Sequence, residues 1–286
     1  MHPLNPRQVQ AYLRHLDSPA PRVADRAALD RLIQAQLRQV PFENVDVLLG
    51  RPIQLDAEAV FAKVVERGRG GYCFEINSLF ARLLLGLGYS VSLLGGRVRW
   101  GLPVDAAQTL LSHLLLRVEL DEGSFIVDIG FGGPAPLRAL PLHGRDGLDD
   151  CPYRLQPLAQ SGETYQMQVL YDGDWATMYH FDLQPQAWVD HIARSWYTAT
   201  HPDSIFLKML MVARTDGDTR LSLGNTSFSR RHADGRLERT QVDSADALIA
   251  LLRHEFHLDL HPEREEAPLR QRLQALLHPT PPTGVP

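Results

Sequence analysis

Cysteine is scarce in this chain: its 286 residues include 2, Cys73 and Cys151. That count, with Cys151 set between Asp150 and Pro152, argues against a disulfide framework and for a reducing cytoplasm. Lysine is equally scarce, and apart from Lys63 and Lys208 the positive charge is all arginine. With 34 acidic against 29 basic residues the net charge is -5, so nucleic acid is not an expected partner. No apolar run approaches the roughly 18 residues of a membrane span, and no membrane association is expected. The opening Met1-His2-Pro3-Leu4-Asn5-Pro6 lacks the apolar core of a signal peptide. Repeats and low-complexity linkers are missing too. What remains is an ordinary globular composition, 44% hydrophobic and 22% charged, long enough for a sizeable core and for roughly two domains.

The first part of the chain reads as helical. Asp25 is placed to cap a helix bearing Leu29, Leu32, Ile33, Leu37 and Val40, which stops before Pro41. Asp56 is placed to cap a second, with Val60, Phe61, Val64 and Val65. A third begins near Cys73 and carries Ile76, Leu79, Phe80, Leu83 and Leu87 on one face, with Gly86 and Gly88 as stop signals. Between the first two, Pro41-Phe42-Glu43-Asn44 reads as an extended loop. From Tyr89 the pattern changes. Residues 91–100, 109–120 and 124–129 read as strands, the last two joined by a turn at Asp121-Glu122-Gly123. Residues 165–182 read as a hairpin around Asp172-Gly173-Asp174. Residues 204–214 look helical, 221–242 contain a hairpin about Asp234-Gly235, and 245–256 and 267–277 look helical. The Pro/Thr-rich tail 279–286 reads as disordered. Helices, then strands, then a mixed region make an α+β chain rather than alternating βαβ units.

Cys73 lies in Arg67-Gly68-Arg69-Gly70-Gly71-Tyr72-Cys73-Phe74-Glu75-Ile76-Asn77, in the first turn of the third helix. Unpaired N–H groups and the positive end of the helix dipole favour an anion there. A free thiol has a pKa of about 8.5, and such a position lowers it. Gly70 and Gly71 leave room for a substrate to approach the sulfur. A lone cysteine is more often a small buried apolar residue, so the nucleophile reading depends on a base.

A cysteine nucleophile needs a base to take its proton and an acid to orient that base. His113 stands near the start of His113-Leu114-Leu115-Leu116-Arg117-Val118, and Asp128 ends Phe125-Ile126-Val127-Asp128 on the next strand. Folding at the 121–123 turn brings the two to the same end of one hairpin, across from each other. Taken singly, each has a bland reading: a satisfied strand histidine and a strand-end turn carboxylate. His191, His201 and His254 lie among exposed-looking polar residues, and His143 sits in a Pro/Gly/Asp loop. No histidine has metal-ligand spacing with a cysteine, so no metal is expected. Gly130-Phe131-Gly132-Gly133 follows Asp128. Glycines after a strand can offer N–H groups to phosphate, although no Gly-Lys-Ser/Thr follows, and a plain turn is the simpler reading.

Taken together, these segments resemble the arylamine N-acetyltransferases, bacterial-type. The resemblance is carried by Pro41-Phe42-Glu43-Asn44, Arg69-Gly70-Gly71-Tyr72-Cys73-Phe74-Glu75, Ser112-His113-Leu114-Leu115-Leu116, Val127-Asp128-Ile129-Gly130-Phe131-Gly132 and His201-Pro202-Asp203-Ser204-Ile205-Phe206, in the family's order. It implies an N-terminal helical bundle (1–88), a central β-barrel (89–190) and a C-terminal α/β lid (191–278), with a papain/transglutaminase-like cysteine-triad core. It implies a triad of Cys73, His113 and Asp128. The implied reaction is ping-pong: acetyl-CoA is the co-substrate, Cys73 carries the acetyl group, and an arylamine or hydrazine takes it, as in xenobiotic metabolism. No permanently bound cofactor is implied. Ser112, Gly130, Phe131, Gly132 and Gly133 look like CoA contacts. Phe42, Val98, Phe131 and Phe206 look like the apolar wall for the acceptor. Arg69 and Glu43 look like a bracing ion pair. A cytoplasmic monomer or homodimer is expected.

Three rivals stand beside this: a protease or transglutaminase-like Cys-His-Asp enzyme, an acyltransferase or amide synthase of the same fold with another donor or acceptor, and a binding protein with a buried Cys73. The glycine-phenylalanine-glycine loop after Asp128 separates the first from the resemblance. Lid and pocket residues decide the second.

Overall fold

Local capping chemistry sets the helical start of the molecule. In the computed structural model, which describes residues 1–144, 151–158 and 164–278, helix α1 (Pro6–His15) opens on a capping box. The Asn5 side chain accepts from the N–H groups of Arg7 and Gln8, and the Gln8 side chain returns to the Asn5 N–H. Pro6 at the first position loses no intrahelical bond. This helix precedes the first one expected. Helix α2 (Arg26–Gln39) is capped by Asp25, which accepts the Ala28 N–H at 2.8 Å. The segment read as an extended loop forms a two-residue strand, β1 (Phe42–Glu43), followed by α3 (Val45–Leu48). Helix α4 (Ala57–Phe61), capped by Asp56, runs into a π-helical turn at Ala62–Glu66. Helix α5 (Cys73–Gly86) follows.

Seven strands come next: β2 (Ser90–Val98), β3 (Leu111–Leu120), β4 (Gly123–Val127), β5 (Leu140–Pro141), β6 (Tyr153–Pro157), β7 (Thr164–Tyr171) and β8 (Asp174–Asp182). They form one antiparallel sheet in the order β5-β4-β3-β2-β8-β7-β6. The edge strands β5 and β6 approach each other, so the sheet curls nearly into a barrel. Helix α6 (Trp188–Thr200) then crosses β3 and the start of α5.

The chain ends in a second sheet and two helices: β9 (Met211–Asp216), β10 (Thr219–Gly224), β11 (Ser227–Arg231), β12 (Leu237–Gln241), α7 (Ala245–His254) and α8 (Ala267–Leu277). Here one expectation fails. Residues 204–214 are not helical; a short 3-10 turn at Ile205–Leu207 leads into β9. The reason is long-range: Ala213 pairs with Phe42 and Val212 with Glu43, which places β1 at the edge of the sheet β1-β9-β10-β11-β12. The expected disordered tail lies outside the described residues.

Among the described residues three apolar cores result. One joins α1, α2 and α5 to the outer face of β3 and β4 through Leu32, Phe80, Leu114 and Leu116. A second fills the barrel with Leu94, Leu115, Met167, Tyr179 and Phe181. The third packs α7 and α8 on the second sheet through Leu223, Phe228, Leu248 and Leu273. Alternate β3 residues thus face different cores, as the strand's period of two requires.

Candidate active site

Cys73 is the first residue of α5 and is buried, its sulfur 4.0 Å from the Ser112 carbonyl oxygen. What holds it there is packing of main chain on main chain. The Glu43 N–H donates to the Gly71 carbonyl at 3.0 Å, and the Gly71 N–H to the Pro41 carbonyl at 3.4 Å. A Cβ on Gly70 would sit 2.0 Å from the Pro41 oxygen, and one on Gly71 2.8 Å from the Glu75 carboxylate. These glycines therefore admit the protein's own backbone and Glu75, rather than a substrate. Glu75 in turn accepts the Tyr72 N–H at 3.0 Å and fixes the turn in front of the thiol.

Beneath that turn lies a set of buried charges. Lys63 Nζ is 2.8 Å from Glu75 and 2.8 Å from Asp46. Arg69 Nη2 is 2.6 Å from Glu43, and Arg69 Nη1 is 3.5 Å from Glu265. Burial pushes the Glu75 carboxyl up despite Lys63. Burial also opposes the charge on Lys63, but Glu75, Glu43 and Asp46 outweigh it and raise the ammonium's pKa.

His113 and Asp128 meet at 2.7 Å, Nε2 to Oδ2, both buried. The pairing differs in detail from a face-to-face hairpin pair. The β3–β4 ladder ends at Leu116 and Val127, so Asp128 has already left the strand and reaches diagonally. Its Oδ1 accepts from Asn77 Nδ2 at 3.0 Å and from the Gly130 N–H at 2.9 Å. Asn77 also donates to the Leu114 carbonyl at 2.6 Å and accepts the Ile129 N–H at 3.2 Å. Burial raises the Asp128 carboxyl, but the His113 charge and these hydrogen bonds win and hold it below its usual range. Burial lowers the imidazole pKa, yet Asp128, joined by hydrogen bonding to Asp128 and Cys73, pushes His113 up to about 10. With Nε2 on Asp128, Nδ1 is the ring nitrogen left for the thiol.

Two aromatic groups flank this centre. Phe131 stands perpendicular to the His113 ring at 5.5 Å, and Tyr179 lies 4.9 Å from it. Val98 pairs with Tyr179 across the barrel strands. On the other side Phe206 lies 6.3 Å from Phe42 and 5.8 Å from Tyr72. Gly132 connects the groups: at φ +80° its backbone lies flat on Phe42, where a Cβ would be 2.6 Å from the ring. Gly130 is filled space too, since a Cβ there would meet Asn77 at 2.6 Å, and its N–H belongs to Asp128 rather than to a phosphate. Gly133 faces open space. Ser112 is half-buried and brings its carbonyl oxygen toward the sulfur.

Sequence reasoning missed three neighbours of the site: Asn77, Tyr179 and Lys63. Asn77 follows Cys73 by four residues and so shares its helix face, a signal that was there to be used. Tyr179 carried no such signal, because its strand joins β2 across the barrel. His191 is not exposed: it is wholly buried against Phe74 and Trp188, and burial, with Arg194 and His113, lowers its pKa to about 4. Among the described residues no cluster of His, Cys, Asp and Glu can hold a metal ion, and no helix is long and apolar enough to cross a membrane.

The chain is similar to known proteins over most of its length. Residues 25–265 match the family model described as N-acetyltransferase. An arylamine N-acetyltransferase of Mycolicibacterium smegmatis is 36% identical over 244 residues, 82% of this chain and 86% of that protein. An arylamine N-acetyltransferase / N-hydroxyarylamine O-acetyltransferase of Salmonella typhimurium is 36% identical over 255 residues, 88% of this chain and 89% of that one. The solved structure of the Mycobacterium marinum arylamine N-acetyltransferase superposes with a TM-score of 0.88 at 32% identity, covering 94% of this chain and 99% of that one. The same enzyme solved in complex with CoA gives 0.87 at 31%, covering 94% and 99%.

Proposed function

The chain belongs to the arylamine N-acetyltransferase family, and from that premise we propose that it moves an acetyl group from acetyl-CoA to the nitrogen of an arylamine or hydrazine through an acetyl thioester on Cys73. The observation that carries this reading is the buried 2.7 Å contact of His113 with Asp128 beside the Cys73 thiol.

In the first half-reaction the proton rests on His113, held there by Asp128, and the Cys73 sulfur attacks the thioester carbonyl. The Cys73 N–H, in the first helical turn and so without an intrahelical acceptor, faces the developing oxyanion. The bond to the CoA sulfur breaks, and CoA leaves with the proton returned by His113. In the second, the amine nitrogen attacks the acetyl-Cys73 carbonyl, His113 accepts its proton, and Cys73 departs as the thiolate. Asp128 keeps the imidazole in one orientation and stabilises its charged form in both halves. Phe42, Phe131, Phe206 and Val98 supply the apolar wall for the acceptor ring. Ser112 and the 130–133 loop border the path of CoA. Arg69 and Glu43 brace the nucleophile turn from below. The chemistry needs Cys73 reduced, which suits a cytoplasmic enzyme.

Intact-protein mass spectrometry after acetyl-CoA without acceptor tests the reading. The expected result is one acetyl adduct on Cys73, discharged by aniline. No adduct, or one on another residue in the wild type, overturns it.

A further inference from the structure

Strand β2 ends at Val98 and β3 begins at Leu111, so residues 99–110 cross the gap with neither helix nor strand. That is long beside the usual connection of about 4–6 residues in compact domains. This one is tied down from within. Arg99 is only 6% exposed, and the hydrogen bonds of its guanidinium run to main-chain carbonyls. Nη1 donates to Ala107 at 2.7 Å, and Nη2 to Ala106 at 2.9 Å, Pro103 at 3.2 Å and Val104 at 3.4 Å. The Arg99 N–H bonds the Met178 carbonyl of β8 at 2.8 Å. At the far end Arg97 donates to the Thr109 carbonyl at 2.6 Å, and the Thr109 hydroxyl to the Val98 carbonyl at 2.8 Å. Only the planar fork of arginine, with five N–H groups, can serve so many separated carbonyls; an ammonium is a single point.

The bound connection is not there to bury apolar surface. Val104 is fully exposed, and Leu102 and Leu110 are exposed as well. What it does fix is Trp100, the next residue. The Trp100 ring stands edge-on to Phe131 at 6.2 Å and to Tyr171 at 5.3 Å. Phe131 in turn stands perpendicular to His113 at 5.5 Å. One buried cation is thus linked through Trp100 and Phe131 to the imidazole.

Resting on the acetyl-transfer reading, we propose that Arg99 is a positioning residue for the acceptor half-reaction: it shapes the 99–110 connection so that Trp100 holds Phe131 at the angle that receives the aromatic amine. Arg99 touches no reacting atom. Its effect falls mainly on the fit of the amine, whose ring packs against Phe131, whereas CoA also has Ser112 and the glycines of the 130–133 loop.

The test separates the two half-reactions of the full-length enzyme: CoA release from acetyl-CoA, and discharge of acetyl-Cys73 by aniline. In Arg99→Ala, kcat/KM for aniline falls about tenfold or more, since misplacement of a positioning group by about 1 Å can cost up to 100-fold. Over the same substitution kcat/KM for acetyl-CoA stays within about threefold, a split that a merely structural role does not produce. Millimolar guanidinium ion, far below denaturing concentration, refills the hole and restores the aniline rate. An equal fall in both half-reactions, no recovery with guanidinium, or no change at all overturns the proposal. If Arg99→Ala does not fold, Arg99→Lys is read in the same assay and must show the same one-sided loss at smaller size. Acetyl-Cys73 formation by the wild type, measured alongside, tells the two failures apart. If it does not form, both readings fall; if it forms and the one-sided loss is missing, only the role of Arg99 does.

Discussion

Two sets of buried charges stand on either side of the start of α5, and they are built differently. Behind Cys73, each cation is shared. Lys63 contacts Glu75, Asp46 and Glu43, and Arg69 contacts Glu43, Asp46 and Glu265. In front, His113 has, among the described residues, the one carboxylate partner Asp128, whose other oxygen is held by the neutral donors of Asn77 and Gly130. Moving a proton within the shared set would unbalance several contacts at once, in a place where isolated charge is costly. Moving one between Cys73 and His113 alters a single pair and leaves the supports of Asp128 in place. Many-partner charge therefore suits a scaffold, and two-partner charge suits chemistry.

The sharpest way to break this contrast is Asp128→Asn. We expect kcat for acetyl transfer, measured on folded protein, to fall by about 10³–10⁴ from loss of imidazole orientation. A rate within about tenfold of wild type removes Asp128 from the chemistry. Lys63→Met tests the other set. It takes the 2.8 Å cation from Glu75 and leaves Glu43 with Arg69 and Asp46 with Arg69 and Arg51, and urea denaturation should show a loss of about 3–5 kcal/mol, as for other broken buried pairs. The molecules still folded should form acetyl-Cys73 at a rate within about tenfold of wild type. Full stability with lost activity would reverse the assignment.

The pH dependence of stability sharpens the contrast further. His113 is raised to about 10 in the folded chain, against about 6.5 for a free imidazole. The folded state then holds the proton that the unfolded state gives up. The stabilisation is complete below pH of about 6.5 and is lost as pH rises toward 10. The urea midpoint of wild type should fall across that window, and the midpoint of His113→Gln should be flatter there. A parallel fall in both proteins excludes the pair as its source. The smallest effects belong to the loop between the aromatic groups. Gly132→Ala should cost about 1–3 kcal/mol, because φ is +80° and Phe42 occupies the space. Gly133→Ala, facing open space, should change stability by less than about 0.5 kcal/mol.

Much of this was legible from local chemistry. Asp25 and Asp56 are caps in the sequence and in the structure, the 121–123 turn closes the β3–β4 hairpin, and α5 starts at the cysteine. What failed depended on partners far along the chain. The run Ile205 to Val212 is dense in apolar residues and has no decisive period, so its fate rests on Phe42 and Glu43, about 170 positions earlier. The burial of His191 rests on α6 crossing α5 at Phe74. In the site, the three reactive residue types announced themselves by their settings. Of the residues that complete the surroundings of His113 and Asp128, Asn77 is marked only by its spacing of four from Cys73, and Tyr179 reads as an ordinary strand residue until the sheet is closed.

The long reach of β1 carries one more consequence. Asn44 bonds the carbonyls of Phe206 and Met209 and the N–H of Met211, Glu43 lies beside Val212, and Arg214 bonds the carbonyl of Arg38. On the ribosome, Cys73, His113 and Asp128 all emerge before any of those later residues. The growing chain thus carries its whole reactive set while the strand that seats Glu43 is still missing. A finished brace, and with it a settled Cys73, marks a polypeptide whose synthesis has passed well beyond its last reactive residue.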